Sequence, residues 1–190
     1  MRLEILEAEY QGRVSVEWRS YLLQPQPKPK PRDRFIAYTT RWLAPGGPGE
    51  QAPECGFVPW TESDDEPPTH SLPAAVAGKV ALGFGRTAFD RFHLATMRAY
   101  FVEHRTISDP DVLSDVAASC GIERDEFRMR LQRDGGELAR RVIDEHNTAI
   151  EGDVHAVPSV VINGFPIPGA QDIETYRRMI DRVLARRAGS

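Results

Sequence analysis

Hydrophobic and polar residues follow two different periods in the first part of the chain. Leu3, Leu6 and Tyr10 recur at helical spacing, which predicts a helix over residues 2–10. Residues 14–22 alternate between apolar and polar side chains, with only their last positions departing from strict alternation, which predicts a half-buried strand. The first predicted elements are therefore a helix and a strand, in that order.

The middle of the chain combines a proline-rich stretch with a long helical stretch. Residues 24–68 contain ten of the fifteen prolines, which is typical of an extended surface loop, and one short helix is predicted at 34–43. Residues 71–150 show helical spacing and no strand pattern. We predict five helices there, the fourth over 123–131 and the fifth from about Gly136 onward.

Polar residues that can cap helices precede several of these predicted segments. Ser71 is expected to cap the first helix of the long helical stretch, and Thr87 or Asp90 to start the second. Asp109 is expected to cap the third helix, and Asp172 the last helix of the chain.

The C-terminal part of the chain predicts a hairpin followed by that last helix. Two short apolar runs, residues 159–162 and 165–168, are separated by Asn163-Gly164, the dipeptide typical of a tight two-residue hairpin turn. Regularly spaced apolar residues after Asp172 then predict an amphipathic helix. The pattern along the whole chain is helix, strand, loop, helical stretch, hairpin and helix.

Composition narrows the function classes without naming one. The 190 residues are 41% hydrophobic and 27% charged, with a formal net charge of −4, as in ordinary globular proteins. We expect no nucleic-acid partner, since no basic face stands out, and no membrane partner, since no apolar run approaches about 18 residues. The spacing of Cys55 and Cys120 fits neither a disulfide framework nor a zinc site, so we expect a cytoplasmic location and no bound metal.

The stretch VPSVVINGFPIPGAQ resembles the C-terminal half of a thioredoxin fold of the DsbA-like kind, which carries a helical insertion. The segments YLLQP, PPTHS and AYFVEHRTISDPDVLSDVA resemble the cytoplasmic branch related to the polyketide-biosynthesis protein FrnE. The resemblance implies an α/β fold with a thioredoxin-like domain over residues 1–68 and 151–190 and an all-helical insertion over 69–150. It also implies that the first strand of the fold is missing from this chain.

The same resemblance implies where a substrate would bind. In the family, a cis X-Pro bond leaves the backbone N–H and C=O of the preceding residue free to pair with a substrate peptide or glutathione as an added strand. The matching residues here are Val157 and Pro158, and His155 is a further candidate near the redox site, where a histidine can stabilise a thiolate. The expected partner is a protein or small-molecule thiol or disulfide, with no cofactor and with glutathione only as a candidate substrate.

The family's chemistry rests on a Cys-x-x-Cys motif that these 190 residues do not contain. The resemblance places the motif upstream of Met1, so no catalytic residue is assigned within the chain. Three explanations stay open: a truncated version of a longer protein, a short paralogue whose gap is closed by rearrangement or a partner's strand, or a chain whose first residues are absent from this sequence. Neither Cys55 nor Cys120 is expected to replace the motif.

Three functions remain in competition. The leading hypothesis is a DsbA-family, FrnE-like thiol-disulfide oxidoreductase that is inactive as this chain. The alternatives are a glutathione-dependent enzyme of the 2-hydroxychromene-2-carboxylate isomerase or kappa-class transferase kind, and a non-catalytic peptide-binding module. An unpaired strand edge favours self-association, so a homodimer is also among the expected assemblies.

Overall fold

The computed structural model describes residues 2–188; Met1, Gly189 and Ser190, which belong to the predicted thioredoxin-like segments, lie outside the described residues. The α-helices of this part are α1 (Arg2–Glu9), α2 (Arg32–Thr40), α3 (Pro48–Gln51), α4 (Leu72–Leu82), α5 (Arg86–Phe101), α6 (Pro110–Ser119), α7 (Arg124–Glu151) and α8 (Ile173–Ala188). Short 3-10 turns lie at Arg41–Leu43 and Pro53–Cys55. Two strands, β1 (Ser159–Ile162) and β2 (Phe165–Pro168), form an antiparallel hairpin.

The chain divides into two compact units. One is formed by Met1–Tyr21 together with Asp144–Ser190, and the other by Leu22–Ile143. The second unit contains the proline-rich loop and most of the helical stretch. The division into a thioredoxin-like domain over residues 1–68 and 151–190 and a helical insertion over 69–150 stays a prediction.

The first unit is built around one apolar cluster between α1, the hairpin and α8. Its buried members are Leu6 and Tyr10 of α1, Ile167 of β2, and Tyr176 and Ile180 of α8. These residues come from the apolar stripes of two amphipathic helices and from one face of the hairpin, so burial of that shared face holds the unit together.

The predicted strand over residues 14–22 does not pair with another strand among the described residues. It runs without helix, turn or bend. Two of its backbone N–H groups instead donate to carboxylates: Val16 to Glu7 Oε1 at 2.9 Å and Ser20 to Glu145 Oε2 at 2.8 Å. The segment is extended and partly buried, as predicted, but it is not a strand of a sheet within residues 2–188, because alternation marks a half-buried extended segment and cannot supply a neighbouring strand.

The second unit packs the helices α4, α5 and α6 with the first part of α7. Its largest buried side chains include Phe92, Leu113, Val116 and Phe127. A separate aromatic cluster of Phe35, Trp42, Trp60, Phe57, Tyr100 and Phe101 anchors the proline-rich region to the end of α5. Within this cluster the Trp60 indole N–H donates to the Tyr100 carbonyl at 3.0 Å, and burial raises the pKa of the Tyr100 hydroxyl.

Two details of the helical stretch differ from the prediction. The predicted fourth and fifth helices form one continuous 28-residue helix, α7, that runs through Gly135 and Gly136. The second predicted helix starts at Arg86 after Gly85, and neither Thr87 nor Asp90 begins it. Packing on either side of the two glycines, by Phe127 and Val142, outweighs the intrinsic cost of glycine in a helix.

The capping predictions have mixed outcomes. Asp109 caps α6, since its carboxylate accepts the Asp111 N–H at 2.8 Å. Ser71 precedes α4 but makes no capping bond; its hydroxyl donates to the carbonyl of Gln24 at 3.0 Å. Ser71 thus ties the proline-rich loop to the start of the helical stretch. None of the helices among residues 2–188 is long and apolar enough to cross a membrane.

The glycines in α7 generate a stability prediction. A Cβ at Gly135 or Gly136 would meet no atom within 4 Å, so alanine fits without a clash. Each of Gly135→Ala and Gly136→Ala should raise the free energy of unfolding by about 0.5–1 kcal/mol, because alanine loses less backbone entropy in a helix. Urea unfolding followed by circular dichroism measures this.

A matched control is Gly121→Ala, which also meets open space but has φ +82°. That variant should lose about 1–2 kcal/mol, since a left-handed backbone disfavours a side chain. Equal responses at positions 121, 135 and 136 would contradict the argument.

Candidate functional site

The hairpin at the centre of the candidate site has the register that its sequence predicts. Ser159 pairs with Pro168 and Ile162 with Phe165, and the turn residues Asn163 and Gly164 both have positive φ, at 52° and 85°. Two positive φ values in succession match the twist of a two-residue hairpin, which is why Asn-Gly is favoured there. The hairpin prediction is confirmed.

The Val157–Pro158 peptide bond, at the open end of the hairpin, is cis, the geometry that the resemblance implies. The Pro158 carbonyl accepts the backbone N–H of Gly169 at 2.8 Å, and Gly169 has φ +77°. The Ser159 hydroxyl donates back to the carbonyl of Ala156 at 2.6 Å. These two bonds fix the backbone on both sides of Val157.

Val157 itself is exposed, with 42% of its surface accessible. Neither its backbone N–H nor its C=O has a hydrogen-bond partner within residues 2–188. Because Pro158 has no N–H and its carbonyl is engaged, Val157 carries the donor and acceptor that remain available at this point. The structure thus brings Val157 and Pro158 together as one exposed, ordered backbone corner.

His155 lies two residues before this corner and is largely solvent-exposed. Its Nε2 is 3.5 Å from Oδ1 of Asp153, with 69% and 90% of the two side chains accessible. The carboxylate attracts the imidazole when the ring is protonated, but at this exposure water screens the interaction. His155 is therefore close in sequence to the corner at Val157 and largely exposed to solvent.

One residue that supports the corner, Tyr176, was not predicted from the sequence to do so. Tyr176 of α8 is buried, and its hydroxyl accepts the Gln171 N–H at 3.3 Å and lies 3.5 Å from the Gly169 carbonyl, to which it donates. Gly169 in turn holds Pro158. The apolar stripe of α8 identified Tyr176 as a core residue, but no sequence signal pointed its hydroxyl at the loop before the helix.

The start of α8 is fixed by the predicted cap. The Asp172 carboxylate accepts the backbone N–H and the hydroxyl of Thr175, both at 2.8 Å, and these bonds lower the pKa of Asp172. The N-cap prediction at Asp172 is confirmed, and it orients the segment that leads from Gly169 into the helix.

Helices α1 and α8 are joined by polar contacts beneath the hairpin. Arg177 Nε donates to Glu9 Oε2 at 2.9 Å, and the same guanidinium contacts Glu174. The Tyr10 hydroxyl donates to Asp181 Oδ1 at 2.7 Å, and burial followed by this bond raises the pKa of Tyr10. These contacts hold the two helices on which the hairpin rests.

The chemistry available within the described residues is limited. Cys55 is an exposed free thiol and Cys120 a buried one. No three His, Cys, Asp or Glu side chains in residues 2–188 form a group that could hold a metal ion. The arrangement offers an exposed backbone corner at Val157 whose N–H and C=O are unpaired within residues 2–188.

Comparison with known proteins decides the family. A family model described as the DSBA-like thioredoxin domain matches residues 68–181. The chain belongs to the DsbA-like thioredoxin family. The matched region runs from the segment before α4 into α8, so it includes both the helical insertion and the corner at Val157.

Two curated relatives from Bacillus subtilis (strain 168) are similar to parts of this DsbA-like chain. The uncharacterized protein YwbO is 28% identical over 105 residues, which cover 49% of this chain and 52% of YwbO. The ClpXP adapter protein SpxH is 26% identical over 137 residues, which cover 68% of this chain and 45% of SpxH. The chain spans about half the length of the curated relatives it matches.

Solved structures show the same fold. A candidate protein disulfide isomerase from Nitrosomonas europaea aligns with a TM-score of 0.70 at 18% identity, over 97% of this chain and 89% of that one. The cytosolic disulfide reductase DsbM from Pseudomonas aeruginosa aligns with a TM-score of 0.66 at 17% identity, over 100% of this chain and 91% of DsbM. The fold is thus DsbA-like, a thioredoxin fold with a helical insertion.

The ion pair between α1 and α8 predicts a pH dependence. The hydrogen bond from Arg177 lowers the pKa of Glu9 below the usual 4.5. A depressed carboxyl pKa stabilises the fold above pH 4.5, and this contribution is lost as the pH falls below that value. Glu9→Gln should therefore lower the thermal midpoint slightly at neutral pH and converge with the parent protein in acid.

The matched control is Glu137→Gln, which removes an exposed carboxylate with no interaction partner in the described part of the chain. Its thermal midpoint should follow that of the parent protein across the whole titration. A Glu9→Gln deficit that persists unchanged in acid would refute the role of the ionised pair.

Proposed function

We propose that this chain carries the substrate-docking half of a DsbA-family thiol-disulfide oxidoreductase, in the FrnE-like cytoplasmic branch. The observation that carries the proposal is the exposed corner at Val157, whose backbone N–H and C=O are both unpaired among the described residues. Membership of the family adds the context in which such a corner binds substrate.

Docking at this corner uses main-chain groups. An extended segment of substrate would accept a hydrogen bond from the Val157 N–H and donate one to its C=O, as an added strand does. The Pro158 carbonyl is already bonded to Gly169, so the substrate can pair with Val157 without competing for it. Recognition of backbone suits substrates that differ in side chains.

His155 is proposed to assist at the same corner. Its imidazole, restrained only by Asp153 at 3.5 Å, can turn toward a docked thiol or thiolate. A protonated histidine stabilises a thiolate through its charge, which favours exchange at the sulfur. No described contact ties the ring to another element.

The thiolate that performs the exchange is proposed to lie outside these 190 residues. Thiol-disulfide exchange needs an attacking thiolate, and the family's Cys-x-x-Cys does not occur in the sequence. Cys120 is buried, and Cys55 lies at the end of a 3-10 turn in the other unit.

The proposed substrate is a protein or small-molecule thiol or disulfide. Glutathione is a specific candidate, because DsbM has been solved with GSH and aligns over 97% of this chain with a TM-score of 0.62. A cytoplasmic location is proposed on the same likeness to a cytosolic reductase, and the two free cysteines are compatible with it. No cofactor is part of the proposal.

A second candidate is a peptide-binding module without redox activity. The absence of Cys-x-x-Cys from the sequence favours it, and one relative, SpxH, is an adapter protein. This alternative keeps the same docking corner and differs only in that no thiol exchange takes place on the bound peptide. The likeness to the glutathione complex of DsbM supports the remaining candidate, a glutathione-dependent isomerase or transferase.

The docking corner makes a direct prediction about Val157. Val157→Pro removes the backbone N–H and should weaken binding of an extended peptide about tenfold or more, since one of two main-chain hydrogen bonds is lost. Val157→Ala keeps the N–H and should bind almost as tightly as the parent protein. Titration with alkylated insulin B chain and with reduced glutathione, followed by NMR of the backbone amides, measures both.

Equal affinities for the proline and alanine variants would rule out docking through the Val157 backbone. Binding of glutathione without the peptide would favour a glutathione-dependent enzyme, and binding of the peptide alone would favour a protein substrate.

The missing motif predicts the behaviour of this chain in an exchange assay. The 190-residue protein should not accelerate insulin reduction by dithiothreitol above the uncatalysed rate, because its sequence contains no Cys-x-x-Cys to supply the attacking thiolate. A thioredoxin with an intact Cys-x-x-Cys serves as the positive control. Turnover that disappears in Cys55→Ser would show that the exposed thiol performs the exchange and would overturn the assignment.

A further inference from the structure

The extended segment over residues 14–20 has one occupied edge and one open edge. Successive N–H groups of an extended chain point to opposite edges, so Val16 and Ser20 share one edge. Both of these N–H groups are bonded, to Glu7 and to Glu145, whose side chain is buried at 6% exposure. That edge is covered by carboxylates from α1 and α7.

The opposite edge is made of Ser15, Glu17 and Arg19. Within the described residues, none of their backbone N–H or C=O groups has a hydrogen-bond partner. All three residues are exposed, and the side chains of Glu17 and Arg19 pair with each other at 2.9 Å with 68% and 60% of their surfaces accessible. An exposed extended edge of this kind is a template for another strand.

The side chains of this segment are complementary to those of a second copy that runs antiparallel to it. In an antiparallel pair centred on Trp18, Glu17 of one copy lies opposite Arg19 of the other, and the reverse pair forms by symmetry. The same register places Ser15 opposite Tyr21 and Trp18 opposite its own copy. Opposite charges and aromatic pairs placed directly across an antiparallel ladder are the favourable combinations.

The hydrogen-bond pattern agrees with this register. When Trp18 faces Trp18 in a pair without mutual hydrogen bonds, the neighbouring pair of residues 17 and 19 exchanges both N–H···O bonds. The backbone groups used are then those of Ser15, Glu17 and Arg19 on the open edge and those of Tyr21 just beyond it, which also have no hydrogen-bond partner within residues 2–188. The occupied edge, with Val16 and Ser20, stays undisturbed.

We propose that the open edge at residues 15–19 binds a second copy of this chain, as an antiparallel strand pair with its two-fold axis at Trp18. A two-fold interface presents the same patch on both subunits, and the Glu17–Arg19 pairing satisfies that condition. The occupant is therefore another copy of this chain, and the site is separate from the docking corner at Val157.

Charge exchange tests the register. Glu17→Arg and Arg19→Glu each place like charges opposite each other at two positions, so each should weaken dimerisation about tenfold or more. The double variant E17R/R19E restores both opposite-charge pairs and should dimerise like the parent protein. Sedimentation equilibrium over a micromolar-to-millimolar concentration series measures the dissociation constants, with Glu137→Arg as the control for a change in net charge.

Cross-linking supplies a second measurement that does not depend on affinity. In a Cys55→Ser background, Trp18→Cys should form an intermolecular disulfide on mild oxidation, because the two positions face each other. Ser15→Cys should not, since the two copies of that position would lie roughly 20 Å apart along the ladder.

Dimerisation lost in both single variants and recovered in the double variant, with cross-linking at position 18 and not at 15, supports the proposal. A monomeric parent protein, a dimer insensitive to the single reversals, failure of the double variant to recover, or cross-linking at position 15 in place of 18 overturns it. Far-UV circular dichroism of each variant separates loss of the interface from loss of the fold.

Discussion

The first unit of this protein depends on hydrogen-bond partners for the backbone of residues 14–22, an extended segment that pairs with no strand among residues 2–188. A buried N–H without a partner costs about 1–3 kcal/mol, so a half-buried segment cannot leave several of them unsatisfied. Glu7 and Glu145 solve this on one edge by placing carboxylates where a neighbouring strand would place carbonyls. The segment is thereby held extended without being part of a sheet.

The same requirement explains how the docking corner is built. Three backbone carbonyls near Val157 accept hydrogen bonds. The Pro158 carbonyl accepts the Gly169 N–H, the Ala156 carbonyl accepts the Ser159 hydroxyl, and the Gly169 carbonyl accepts the Tyr176 hydroxyl. Between these bonds, the N–H and C=O of the exposed residue Val157 have no partner among residues 2–188. If a substrate docks at Val157 as proposed, the ordered backbone around it keeps the entropic cost of binding low, because little backbone has to be fixed on docking.

Elements that are determined by a few neighbouring residues could be predicted from the sequence. Elements that depend on packing against distant parts of the chain could not. The hairpin and the start of α8 follow from Asn163-Gly164 and Asp172, which impose their own geometry within four residues. The continuity of α7 could not be predicted from the local sequence. The cost of its two glycines is outweighed by the packing of Phe127 and Val142 against residues that are distant in sequence, such as Phe92 and Val76. The site divides in the same way. Val157 and Pro158 stand out in a motif, whereas the contribution of Tyr176 is a single hydroxyl contact made possible only by the fold.

The first unit has two exposed backbone stretches whose hydrogen-bonding groups lack partners among residues 2–188, Val157 and the open edge at residues 15–19. Their side chains favour different partners. At Val157 one residue is open, and the side chains beside it do not form a pattern that repeats when reversed, so a short extended segment of another molecule suits it. At residues 15–19 three successive residues of one edge have unpaired donors and acceptors among residues 2–188. In an antiparallel pair of two copies, Glu17 of each copy lies opposite Arg19 of the other, so the charges are complementary. Backbone hydrogen bonds would supply affinity at Val157 and at residues 15–19 alike. The sequence of side chains along each stretch then decides which partner fits. The self-complementary order at residues 15–19 therefore favours the proposed second copy of the same chain, whereas the partner proposed at Val157 is a substrate.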